Sequence, residues 1–111
     1  MSFRVDNVEH YFNTLGDRFT REGSRGVHAT YQFELEGSGT WHINISDGDF
    51  ELHEGASELP TTTLKMKGED YIKMVNGDLN GQMAFMTGKL KISGQIPMAM
   101  KLKSIFPQAE K

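Results

Sequence analysis

Between residues 27 and 54 an apolar side chain falls at almost every second position, and two turn signals divide the run. Val27, Ala29, Tyr31, Phe33 and Leu35 alternate with His28, Thr30, Gln32 and Glu34. After Gly37-Ser38-Gly39, the residues Trp41, Ile43 and Ile45 alternate with His42 and Asn44. After Asp47-Gly48, Phe50 and Leu52 alternate with Glu51 and His53. Two is the period of a strand, and Asp-Gly is a strong hairpin signal. The stretch predicts a three-stranded meander. A two-residue Asp47-Gly48 loop pairs Ile45 with Phe50, Ile43 with Leu52 and His42 with His53. A three-residue loop at 37–39 pairs Leu35 with Trp41, Phe33 with Ile43 and Glu34 with His42. Both registers gather the large apolar residues on one face, and a one-residue slip would scatter them. The chain must therefore build a sheet with one buried face and one polar, wet face.

Something must cover the buried face, and the flanking sequence supplies helices. Val5, Val8, Phe12, Leu15 and Phe19 recur at helical spacing, which predicts one amphipathic helix ending near Glu22, ahead of Gly23 and Gly26. Thr62 to Lys67 reads as a fourth strand with Leu64 and Met66 inward. A short helix from Glu69 to Val75 stops at Asn76-Gly77, a C-cap pair. Asn80 caps a second short helix running through Met86 and closed by Gly88. Lys89 to Ser93 is a fifth strand with Leu90 and Ile92 inward. A last helix runs from about Pro97 to Phe106, where Pro107 stops it. The fold class is α+β: about five strands in a largely antiparallel sheet, with four or five helices on its apolar face. At 111 residues, a single domain spanning 1–111 is expected.

Composition narrows the function classes. There is no cysteine, which excludes a disulfide scaffold, Cys-ligated zinc and a thiol nucleophile, and fits a reducing compartment. No apolar h-region follows the start, no run approaches the roughly 20 apolar residues of a membrane span, and the tail Gln108-Ala109-Glu110-Lys111 is no peroxisomal signal. A cytoplasmic protein is expected. The net charge is −3 but unevenly spread. Seven acids and no Lys or Arg lie between Arg25 and Lys65; Lys89, Lys91, Lys101 and Lys103 and no acid lie between Asp78 and Glu110. These lysines serve either as ordinary solubility charge or as a basic rim toward an anionic ligand or membrane surface. Four lysines without arginine do not make a nucleic-acid interface.

Catalytic signatures are missing. The register above would place Glu34, His42 and His53 in a row on the polar face, with neighbouring Cβ atoms about 5 Å apart. Glu and His are sound zinc ligands, but a flat row converges poorly on one ion and offers no second shell. A solvated face is the better reading, and His10 and His28 are read as surface residues. No G-x-S-x-G elbow, phosphate-binding glycine loop or dinucleotide fingerprint is present. No catalytic residue, metal or cofactor is assigned, and the chain is read as a non-enzyme.

Methionine carries the remaining signal. The six internal methionines all follow residue 65, and Met83, Met86, Met98 and Met100 lie within 83–100. Methionine fills cores, but it is over-used where a surface must accept varied apolar partners. The last helix adds Ile96, Met98, Ala99, Met100, Leu102, Ile105 and Phe106, apolar on more than one stripe. A helix lying on an open sheet needs one stripe. The second needs a partner, a membrane or an enclosed ligand.

The block "NGDLNGQMAFMTGKLKISGQIPMAMKLKSIF", residues 76–106, resembles the signature half of the sterol carrier protein-2 domain family. A-F-M-x-G-K-L-K-I-x-G and a following helix with A-x-K-L carry the likeness, which extends over roughly residues 5–106. The resemblance implies a hydrophobic tunnel between sheet and helices that binds fatty acid, fatty acyl-CoA, phospholipid or sterol without catalysis. By position its wall maps to Trp41, Phe85, Met86, Met98, Met100, Leu102 and Ile105; Met83 joins them in the same Met-rich turn. Gln82, Lys101 and Lys103 are candidate head-group contacts. Two departures stand out: Gln95 replaces the Asp usual after the second glycine, and Pro97 is unusual at the start of the last helix. The leading expectation is a free-standing, bacterial, cytoplasmic lipid-binding or transfer protein that touches anionic membranes transiently. The alternative is a protein–protein interaction or dimerisation module using the apolar C-terminal helix, and the sequence leaves the oligomeric state open.

Overall fold

The computed structural model describes residues 4–109, so the first three residues and the Glu110-Lys111 end of the tail lie outside it. The alternating run forms β1 (His28–Glu36), β2 (Gly39–Ser46) and β3 (Asp49–Glu54). β4 is Thr62–Lys67 and β5 is Lys91–Gly94, and the sheet order is β3-β2-β1-β4-β5. Three of the ladders are antiparallel; β1 and β4 run parallel, with Tyr31 opposite Thr62 and Leu35 opposite Met66. The sheet is thus mixed, largely antiparallel and open.

The Asp47-Gly48 register is as expected: Ile45 faces Phe50, Ile43 faces Leu52 and His42 faces His53. The first hairpin differs by two residues. Leu35 faces Gly39, Phe33 faces Trp41, and Gln32 rather than Glu34 faces His42. The turn is centred on Gly37 at φ +86, with the Ser38 amide donating to the Leu35 carbonyl at 2.9 Å. That is the left-handed third position of a type II turn, which glycine alone fills without strain. A two-residue shift preserves the face of every side chain, so Ala29, Tyr31, Phe33, Leu35, Ile43 and Ile45 are buried together regardless.

Helices cover that face. The expected single N-terminal helix is three short ones: α1 (Val8–Asn13), α2 (Leu15–Arg18) and α3 (Arg21–Ser24). Two threonines end the turns. Thr14 caps α1 and its hydroxyl donates back to the His10 carbonyl at 2.7 Å, a side-chain bond that competes with helix continuation. Phe19 is extended, and Thr20 turns its groups toward the far end of the chain. The apolar stripe still does its job: Val5, Val8, Phe12 and Leu15 are buried and Phe19 packs against them. α4 (Gly68–Val75), α5 (Gly81–Met86) and α6 (Ile96–Ile105) complete the layer.

Aromatic rings bind helices to sheet in two clusters. Phe12 stacks on Trp41 at 4.6 Å and meets Phe33 edge-on at 5.6 Å, while Tyr71 joins Phe33 and Tyr11. Phe19, Phe50 and Phe106 form the second cluster, with centroids 4.7 to 5.5 Å apart. Asn76 closes α4 and clamps the N-terminal segment: its side-chain oxygen accepts from the Val5 amide and its nitrogen donates to the Val5 carbonyl, each at 2.8 Å.

Candidate ligand-binding surface

α5 is built to stand with an apolar side uncovered. The Asn80 side chain accepts from the Met83 amide at 3.0 Å, capping the helix start. Gly88, at φ +81, turns the chain back so that the Leu90 amide reaches the Ala84 carbonyl. Within this turn only Ala84 faces the core. Met83, Phe85 and Met86 are 55%, 43% and 75% exposed. Gln82 is exposed beside them.

α6 carries an apolar inner stripe and a mixed outer one. Met98, Leu102 and Ile105, at spacings of four and three, form the inner one; Leu102 and Ile105 are buried and Met98 is half-buried. Ile96, Met100 and Lys103, at the same spacings, form the outer one, and all three are exposed. Lys101 is exposed as well. The helix is fastened at both ends. The Tyr31 hydroxyl, rising from β1, donates to the Met98 carbonyl at 2.8 Å. The Thr20 amide and hydroxyl donate to the Ile105 and Ser104 carbonyls at 2.9 and 2.6 Å. α3 approaches so closely that a Cβ on Gly23 would collide with the Ser104 carbonyl, so glycine is required there. Gln95, the N-cap, makes no side-chain cap.

Trp41 lies elsewhere. It is half-buried and lines an open depression of about 590 Å³ with Val8, Phe12 and Leu52, rimmed by Asn7, Glu9 and Glu54. No residue of α5 or α6 lines it. The expected wall residues therefore fall into separate settings: the exposed group on α5, the outer stripe of α6, the inner stripe of α6, and Trp41 apart from these. Phe12 and Leu52 beside Trp41 were not singled out as site residues, although the helical stripe and the strand alternation already placed them on the sheet's apolar side.

The polar face is differently arranged than the expected row. His42 and His53 stack at 5.0 Å, and His42 Nδ1 lies 2.9 Å from the Gly55 carbonyl. Glu34 faces Thr40 and accepts from the Gln32 side chain at 3.0 Å. Gln32 is itself buried, because the segment after β3 folds over it and the Ser57 amide donates to its oxygen. Among the described residues no three of His, Asp, Glu or Cys are placed to hold a metal ion.

Tyrosine is the ionisable type that burial perturbs. Burial pushes the Tyr31 phenol up to about 12, and it raises Tyr11 and Tyr71, the latter well above the ordinary value. All three side chains stay neutral at physiological pH.

No described helix is long and apolar enough to cross a membrane. Among known proteins, the chain is 39% identical over 104 residues to hydroxysteroid dehydrogenase-like protein 2 of Mus musculus, covering 91% of this chain and 21% of that one. It spans about a fifth to a quarter of the length of the curated relatives it matches. Its fold superposes on the sterol carrier protein domain 2 of Helicoverpa armigera, with a TM-score of 0.64, 32% identity, and 82% and 74% of the two chains covered. It also superposes on palmitated SCP2L2 from Aedes aegypti, with a TM-score of 0.74, 21% identity, and 96% and 100% covered. The model of the SCP-2 sterol transfer family matches residues 12–107, and the chain belongs to that family.

Proposed function

We propose that this chain is a non-enzymatic lipid carrier domain, acting on its own or as one module of a longer protein. The observation that carries the reading is the apolar surface that folding leaves uncovered: Met83, Phe85 and Met86 on α5, and Ile96 and Met100 on α6. Scattered exposed apolar residues are ordinary. Five large ones on two helices within eighteen residues are not, and methionine is the residue type that adapts to acyl chains of varied shape. Family membership and a palmitated fold relative support the same class of ligand. The ligand is fatty acid, fatty acyl-CoA, phospholipid or a sterol-like molecule, held against these side chains and Met98.

Leu102 and Ile105 are covered by protein atoms. They reach a ligand when α6 lifts from the sheet and opens a tunnel, and Trp41 reaches it when the tunnel extends toward β2. Gln82, Lys101 and Lys103 meet the head group, and the same lysines beside Met100 suit brief docking on an anionic membrane surface. The setting is the cytoplasm, which a cysteine-free chain fits.

Titration with a fluorescent fatty acid over the micromolar range, alongside sedimentation velocity, tests the reading. A monomer that binds saturably supports it. A protein that ignores the probe while self-associating with concentration replaces it by the interaction-module reading, in which the outer stripe of α6 covers a second copy.

A further inference from the structure

A second surface, distant in character from the methionines, holds a cluster of cations. Lys65 on β4 faces Lys91 on β5 directly across an antiparallel ladder. Lys67 lies two residues along β4 from Lys65, on the same face of that strand, and Lys89 lies in the bend just before β5. All four line one open depression of about 330 Å³ at this end of the sheet, with Glu36 and Asp70 on its rim. No ion pair within 4.0 Å joins any of these lysines to either carboxylate. Like charges directly opposite on neighbouring strands destabilise a sheet. An edge lysine that discourages strand addition explains Lys91 on β5; on the inner strand β4, Lys65 and Lys67 stand opposite Glu34 and Glu36 of β1, which leaves Lys89 and Lys91 without a carboxylate across a ladder. Four lysines lining one concavity with two carboxylates have flexible ammonium groups that can close around a compact polyanion.

We infer that the depression between β4 and β5 is a phosphate-binding site, held by Lys65, Lys67, Lys89 and Lys91, for a diphosphate or phosphomonoester group. It is independent of the lipid reading: its residues are not those of the α5 and α6 surface, so either can fail without the other.

The test uses the full chain, inorganic pyrophosphate, and ionic strength held constant with sodium chloride. Pyrophosphate is expected to bind saturably, to move the amide resonances of the four lysines, and to raise the melting temperature. The K65A/K91A variant should bind at least about a hundredfold more weakly, roughly tenfold per charge-assisted hydrogen bond lost. Its own melting temperature should hold, because losing the Lys65–Lys91 repulsion offsets losing the Glu34–Lys65 cross-strand pair; this separates lost binding from lost folding. K73A, an exposed lysine on α4, should bind as the unaltered chain does. A parallel arm identifies the source. Co-sedimentation with phosphatidate-containing phosphatidylcholine vesicles that pyrophosphate reverses assigns a lipid head group, and binding of pyrophosphate alone assigns a free phosphate. Equal shifts with chloride of matched ionic strength, or undiminished pyrophosphate binding by K65A/K91A, overturn the inference.

Discussion

Replacing Met83, Met86 and Met100 together by glutamine separates a lipid-binding wall from core filling. These side chains are 55%, 75% and 63% exposed in the folded chain. Their exposed fractions amount to about two full side-chain burials, a gross ~3–6 kcal/mol if a ligand covers them. Glutamine keeps two methylenes, so roughly half of that is lost, about 1.5–3 kcal/mol, or roughly 10- to 150-fold in Kd. Stability should barely respond. Exposed substitutions cost within about 0.5 kcal/mol each, which for a chain of this length moves the melting temperature by no more than ~6 °C. Displacement of a fluorescent fatty acid gives the first number and thermal unfolding the second. Binding unchanged within about twofold would place the ligand elsewhere and refute the assignment. A fall of ~20 °C in melting temperature would show that the methionines are core, and would refute it from the other side.

Three further outcomes follow from the packing and the site. Asn76→Ala removes both bonds to Val5, leaving a buried amide and carbonyl unpaired; a loss of ~2–4 kcal/mol is expected, read as a lower urea midpoint at unchanged m-value. Alkaline pH should destabilise the fold. Tyr31, Tyr11 and Tyr71 all have folded values raised above the unfolded value of about 10, chiefly by burial, so their contribution is intact below pH ~10 and is lost as pH rises through the folded values, about 12 for Tyr31. Urea melts across pH 8 to 11.5 check this, and a midpoint that climbs over that range would contradict it. Gly37→Val forces a β-branched residue to φ +86 and should cost ~1–3 kcal/mol, whereas the 37–39 loop register expected from sequence alone would not centre the strain there.

Much of the fold was legible because its signals are local. The limits of β4 fell where the alternation of Leu64 and Met66 placed them, and Asp47-Gly48 fixed one hairpin. Asn80 and Asn76-Gly77 bounded helices by capping chemistry. What was not legible depends on choices that local pattern leaves degenerate. Shifting the 37–39 loop by one position moves the register by two residues and leaves every side chain on the same face, so alternation is blind to it. The Val5-to-Phe19 spacing identifies which residues face the core, and they do face it. Spacing says nothing about whether the backbone between them is one helix, and Thr14 and Thr20 break it through side-chain bonds. The parallel pairing of β1 with β4 has no local signature at all. At the candidate site, the excess apolar surface of α6 was readable from composition, and the outward stripe of Ile96 and Met100 accounts for it. The separation of Trp41 from the methionines depends on where helices sit over the sheet, which no short stretch encodes.

Native mass spectrometry of the purified protein tests the central claim most directly. Lipid carriage predicts a one-to-one adduct with the mass of a fatty acid or phospholipid, removed by delipidation, restored by incubation with palmitate, and weakened in the triple methionine variant. A chain that flies only at its bare mass, both as purified and after incubation with palmitate, would contradict it.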